Sequence, residues 1–159
     1  MQEDKHKFLI NGEEISFEIG NMAKAANGSV LVRYKDNVLL ITATMSNPRP
    51  GLDFFPLIVD FEEKLYARGK IPGGFFRREG RPSSSAILSA RLIDRTLRPL
   101  FPDGFRHEVA IGILPLAVDL TTPLDWLGLI GANLALSISD IPFNGPVSAT
   151  NIGYINGDL

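Results

Sequence analysis

Cysteine is absent from this 159-residue sequence, so it can hold neither a disulfide framework nor a thiolate metal site. Histidine is nearly absent too. His6 and His107 are the only two, and each sits beside a strand-like run without a partner acid or base, which argues against a histidine general base. Long apolar runs are also missing. The longest windows, residues 109–118 and 126–138, are too short to span a bilayer, and Asn133 interrupts the second. No apolar stretch like that of a signal peptide follows the polar opening Met1-Gln2-Glu3-Asp4-Lys5. A Gly-rich nucleotide loop and internal repeats are lacking as well. What remains is the expectation of a soluble, cytoplasmic chain with no membrane partner, long enough for one domain with a hydrophobic core and too short for two.

The charge that is present is unevenly spread. The formal net charge of −2 suggests no polyanion partner. Between Arg68 and Arg106, however, nine basic residues (Arg68, Lys70, Arg77, Arg78, Arg81, Arg91, Arg95, Arg98, Arg106) face three acids (Glu79, Asp94, Asp103), a net of +6. The remainder has seven bases and fifteen acids, a net of −8. Positive potential is thereby concentrated in one stretch. Eight of those nine bases are Arg, whose planar fork grips phosphate bidentately and stacks on bases.

Local patterning predicts an α+β fold. Residues 6–10 and 13–19 flank Asn11-Gly12, a two-residue hairpin signal. Residues 29–34 and 38–45 follow, separated by Asp36-Asn37, and their alternating β-branched character predicts a meander of about four strands. Residues 56–61 predict another strand. The pattern dissolves from Glu62 to Arg81, where Ile71-Pro72-Gly73-Gly74 puts Phe75-Phe76-Arg77-Arg78 on a loop. Residues 86–97 contain no Gly or Pro and follow the N-cap hydroxyls of Ser83 to Ser85, so they predict a helix. Its buried stripe should be Ala86, Ile93, Leu97 and Leu100, ended by Pro99 and Pro102. Residues 109–118 predict a strand covered on both faces. Residues 126–139 predict a second helix whose Gly128, Gly131, Ala132 and Ala135 permit close packing, and residues 147–155 a last strand. Asn156-Gly157 repeats the hairpin signal with only Asp158 and Leu159 behind it. The expectation is therefore a mixed-sheet α/β sandwich occupying residues 1–159, truncated before its last strand and helices.

Phe75-Phe76-Arg77-Arg78-Glu79-Gly80-Arg81-Pro82 carries the most chemical information. Two adjacent Phe on a loop are costly to leave in water, and three Arg within five residues repel one another unless an anion or acidic surface neutralises them. Single-stranded RNA answers both demands, with bases on the rings and phosphates in the forks. The other reading is a core Phe anchor with the Arg paired to acids or set at a subunit contact. Arg91, Arg95 and Arg98 share one helix face, off the buried stripe, with Asp94 placed to neutralise Arg91 and Arg98 in part. They supply either a second basic row or a salt-bridged helix. Asp60, Glu62 and Glu63 form the closest acidic cluster, and Glu62 and Glu63 read as solvated charges rather than metal ligands.

These residues resemble a known family. The run from Ile71 to Ser83, Ala90-Arg91-Leu92-Ile93-Asp94-Arg95 and Arg98-Pro99-Leu100-Phe101-Pro102 are similar to the first core domain of the polynucleotide phosphorylases. Asp53-Phe54-Phe55-Pro56-Leu57, Ile141-Pro142-Phe143-Asn144-Gly145-Pro146 and Gly153-Tyr154-Ile155-Asn156 match as well. The resemblance implies an RNase PH-like core of an enzyme that degrades mRNA from its 3′ end, with inorganic phosphate in place of water, releasing nucleoside diphosphates. It implies a homotrimeric ring, and a magnesium site in a second core that is not in this sequence. It assigns no catalytic residue or metal ligand to the present chain. RNA contact falls to Phe75, Phe76, Arg77, Arg78 and Arg81, and also to Arg91, Arg95 and Arg98. Ser84 and Thr96 depart from the family pattern, which often has Glu and Pro there, so the helix should lose an acid at its start and a kink near its end. The alternative function is a structural module of an exosome-like ring with no direct RNA role. A self-sufficient RNase PH-type enzyme ranks third, since an acidic metal site and the outgoing strand are lacking.

Overall fold

Alternation of apolar and polar side chains draws the first four runs into an antiparallel meander. β1 (Asp4–Ile10) and β2 (Glu13–Ile19) pair around Gly12, whose φ of 79° supplies the left-handed backbone that such a turn needs. β3 (Gly28–Tyr34) and β4 (Asn37–Ser46) continue the ladder. β5 (Leu57–Phe61) lies parallel to β6 (Glu108–Ala117), and β6 is antiparallel to β4, which gives one mixed sheet in the order β1-β2-β3-β4-β6-β5. The computed structural model describes residues 4–10 and 12–154; Asn11 and the second turn signal, Asn156-Gly157, lie outside them.

Parallel neighbours need a crossover, and helix α1 (Ser84–Leu97) lies on the one between β5 and β6. Ser83 caps it, accepting the Ala86 N–H at 3.1 Å. Ala86, Ile93 and Leu97 form its buried stripe, with Leu100 half-buried beyond. The Thr96 hydroxyl donates to the Leu92 carbonyl at 2.9 Å, and the helix continues to Leu97. Helix α2 (Asp125–Ser137) depends on small residues for its approach to the sheet. A Cβ on Gly131 would lie 2.6 Å from the Ile41 side chain, and one on Gly28 of β3 would lie 2.1 Å from the Ala135 carbonyl oxygen. Ile93, Leu97, Leu127 and Leu136 are thereby buried with Val32, Ile41, Ile111 and Ile113, each such side chain contributing roughly 1.5–3 kcal/mol. The class is α+β, as expected.

Two expectations need correction. β6 is buried on one face only: Val109, Ile111 and Ile113 lie in the core, while Ala110, Gly112 and Leu114 are half-buried because the described helices pack on the opposite side. Its continuous apolar run hides an ordinary alternation. Residues 147–154 form no strand. The Val147 N–H donates to the side-chain oxygen of Asn133 on α2, at 2.9 Å, instead of to a ladder, and residues 151–154 are exposed. Two short elements were not anticipated, a 3-10 turn at Leu65–Arg68 inside the stretch read as irregular and another at Arg98–Leu100 directly after α1.

Candidate nucleic-acid interface

The loop between β5 and α1 has a tight turn at its tip. The Arg77 N–H donates to the Gly74 carbonyl at 2.9 Å, so Phe75 and Phe76 occupy the two central, protruding positions. Arg77 completes the bend with a φ of 48°, a conformation uncommon for a residue with a side chain. The rings are 96% and 81% exposed and touch each other edge to face, centroids 5.3 Å apart. Neither is a core anchor. Apolar surface of this kind left in water marks a contact site.

Beneath the loop lies a cleft of about 690 Å³, bounded by the end of β5, residues 62–65, the loop itself and α1. Arg78, Arg81 and Arg91 line it, over a partly apolar floor that includes Ala86, Ile87 and Ala90. Arg95 is one helical turn further along α1. Among the described residues, none of Arg77, Arg78, Arg81, Arg91 and Arg95 is engaged in an ion pair. Five guanidiniums thus stand without carboxylates on and beside the loop.

Arg98 is different. Its guanidinium donates to both oxygens of Asp94 at 2.7 and 3.0 Å, and to the Phe55 and Leu57 carbonyls at 3.1 and 3.3 Å. It also sits 5.7 Å from the Phe55 ring centroid. The shared helix face suggests either one basic row or a salt-bridged helix, and the structure splits the three arginines between the two. The salt-bridged reading holds at Arg98, and Asp94 is spent there rather than on Arg91.

The acids around the cleft are engaged. Glu79 accepts the Leu65 N–H and lies 3.7 Å from the Lys64 ammonium. Lys64 also meets Glu62 at 2.9 Å, and that hydrogen bond, against some desolvation, holds the ammonium pKa above its ordinary value. Glu63 accepts the Ser83 and Ser85 hydroxyls at 2.9 and 3.4 Å and lies 3.9 Å from Arg68. Glu63 is therefore a bracing group and not a free solvated charge, whereas Glu62 is an exposed surface charge paired, among the described residues, only with Lys64, close to the solvated reading. Among the described residues no group of three or more His, Asp or Glu could hold a metal ion. His6 does have an acid neighbour, Asp4 at 3.2 Å, and His107 bonds the Ser46 carbonyl at 3.1 Å; neither lines the cleft. Sequence reasoning passed over Glu63 and Lys64 as site-builders. The only signal was a run of charges at the end of a strand.

The sequence between residues 12 and 142 matches the model of the 3′ exoribonuclease family, domain 1. The chain belongs to that family. Within it, the chain is 58% identical to the polyribonucleotide nucleotidyltransferase of Heliobacterium modesticaldum over 94% of its length, and 53% identical to that of Bacillus cereus over all of it. These names agree with the polynucleotide phosphorylase resemblance read from the motifs. The chain spans about a fifth of the length of these curated relatives, 21% and 23%. Two solved structures share the fold. Rice (Oryza sativa) Rrp46 matches with a TM-score of 0.62 and 15% identity, over 82% of this chain and 57% of its own. A chain of the Archaeoglobus fulgidus exosome, solved with RNA bound to the active site, matches with a TM-score of 0.58 and 22% identity, over 80% of this chain and 52% of its own. In this exoribonuclease-family domain the mixed sheet and α1 fix the base of the loop, and no described helix is long and apolar enough to cross a membrane.

Proposed function

We propose that this chain is the RNA-guiding first core of a 3′-to-5′ phosphorolytic exoribonuclease, with residues 1–159 belonging to one RNase PH-like domain. The whole enzyme converts RNA and inorganic phosphate to nucleoside diphosphates, acts in mRNA degradation in the cytoplasm, and works as a homotrimer. Its magnesium is held by residues outside this chain, and no step of the chemistry is assigned to the residues described here. The observation that carries this reading is the pairing of two exposed rings with five guanidiniums that no described carboxylate neutralises. Bases of a single strand stack on Phe75 and Phe76, each worth roughly 1–3 kcal/mol. Phosphates sit in the forks of Arg77, Arg78, Arg81, Arg91 and Arg95. Arg98 acts as an internal clamp, joining α1 to the chain entering β5. Family membership and the names of the close relatives support the reaction class.

A second reading has one observation in its favour. Ile87, Leu88 and Leu92 on α1 are 47%, 63% and 46% exposed, as a subunit contact would require. Joint replacement of Arg77→Ala and Arg78→Ala separates the two. Loss of oligo(A) affinity by roughly tenfold or more, with an unchanged oligomer, supports RNA guiding. Unchanged affinity with a dissociated oligomer supports the assembly module instead.

A further inference from the structure

We propose that Glu79 is a positioning residue for RNA binding: its carboxylate latches the Phe75–Arg81 loop to the backbone of Leu65 and holds the two rings at their exposed apex. This rests on the RNA-guiding reading and extends it, because it gives an acid a favourable part in binding a polyanion. Charge alone argues the reverse. Glu79 lies between Arg78 and Arg81, where a carboxylate repels phosphate, so simple electrostatics predicts that removing it tightens RNA binding.

The loop has little else to hold it. Residues 70–82 contain no helix or strand, and among the described residues the only backbone hydrogen bond from residues 71–82 is the internal one from Arg77 to Gly74. Both Phe rings are exposed, so the loop has no aromatic anchor in the core. An untied loop of this kind samples many conformations, and ordering each residue on binding costs about 1–2 kcal/mol in backbone entropy.

Leu65 is where a tie has most effect. It opens the 3-10 turn, and the residue before it, Lys64, supplies no side-chain cap, so its N–H needs an acceptor from elsewhere. Glu79 provides that acceptor, and its second oxygen faces the Lys64 ammonium at 3.7 Å. The turn is itself fixed to the fold. Ala67 is buried, and its carbonyl accepts the Val118 N–H at the end of β6, at 3.0 Å. The connection therefore runs from the sheet through the turn to Glu79 and the loop. At the loop's far end Ser83 bonds Glu63 and caps α1, which leaves Glu79 as the tie nearest the rings.

The test compares Glu79→Ala with Glu79→Gln, by oligo(A) fluorescence anisotropy and by hydrogen exchange at the Leu65 amide. Both variants remove the same charge, but only the Gln amide oxygen can still accept the Leu65 N–H. Glu79→Ala should weaken oligo(A) binding roughly tenfold despite the gain in net positive charge, and Glu79→Gln should recover most of the loss. The Leu65 amide should lose protection in the Ala variant and keep it in the Gln variant. Unchanged or tighter binding by Glu79→Ala overturns the proposal, as does equal weakening by both variants or full Leu65 protection without the carboxylate. If the unaltered protein bound no oligo(A), the RNA reading would fall and this role with it; exchange at Leu65 would still distinguish a latch from a solvated acid.

Discussion

On the β1–β3 side of the sheet, carboxylates answer cations. Lys5 and Arg33 share Glu18 at 2.7 and 3.0 Å, Lys7 meets Glu14 at 2.9 Å, and Lys35 meets Glu13 at 3.8 Å. From Arg77 to Arg95 the arrangement is reversed. Five guanidiniums have no carboxylate among the described residues, and the two acids closest in sequence are turned elsewhere, Glu79 to a backbone N–H and Asp94 to Arg98. The same residue types make both regions. What separates them is where the carboxylates are spent. In the first region charge cross-links strands; in the second Glu79 braces the backbone, Asp94 holds Arg98, and the five other guanidiniums are left facing solvent.

The largest effect should come from a bracing acid that lies outside both regions. Asp119, just past β6, accepts hydrogen bonds from the Asn37 amide at 2.9 Å, the Thr121 and Thr122 N–H groups at 2.8 Å each, and the Thr122 hydroxyl at 2.7 Å. Burial pushes its pKa up, but the bonds from Thr122, Thr121 and Asn37 outweigh that and hold it well below the ordinary carboxylate range. Asp119→Ala leaves fully buried Asn37 without its acceptor and should cost roughly 3 kcal/mol of stability in urea unfolding, while the folded protein keeps its oligo(A) affinity. Arg98 and Arg91 sharpen the contrast on a single helix. Arg98→Ala should lower stability by about 1–3 kcal/mol with little change in RNA affinity, since it strips a hydrogen-bonded charge from Asp94 and two carbonyls. Arg91→Ala should weaken RNA binding several-fold and leave the unfolding free energy within about 0.5 kcal/mol of the original. Similar outcomes for the two would erase the distinction drawn between them.

The smallest effect lies with Glu18. The hydrogen bond it accepts from Lys5, then the hydrogen bond and charge of Arg33, lower its pKa from an ordinary value near 4.5, against the opposing effect of burial. A carboxylate whose folded pKa is depressed contributes stability that is complete above the unfolded value and fades as pH falls through the folded one. Stability should therefore decline as pH drops below about 4.5, and Glu18→Gln should make that decline shallower. Urea midpoints at pH 7 and pH 3 compare the two proteins.

Much of this was legible in the residues. Alternation gave the four-strand meander, a Gly-free run behind serines gave α1 and its cap, and Pro-Gly punctuation left Phe75 and Phe76 on a loop. The failures share a cause, which is dependence on partners distant in sequence. Arg98 differs from Arg91 because it takes Asp94 and because the Phe55 and Leu57 carbonyls, more than forty residues upstream, lie within its reach. Residues 147–154 have strand-like composition, yet the Asn133 side chain takes the Val147 donor. Glu79 reads as one stray acid among arginines until the bare N–H of Leu65 is placed beside it. Composition could locate the charged segment but not divide its charges between bracing and binding.

The central claim is that the guanidiniums of Arg77, Arg78, Arg81, Arg91 and Arg95 face a polyanionic strand. Salt titration of oligo(A) binding tests it most directly. With about five phosphate contacts, log K should fall against log salt with a slope near −3.5. A slope indistinguishable from zero between low and moderate salt would contradict the account.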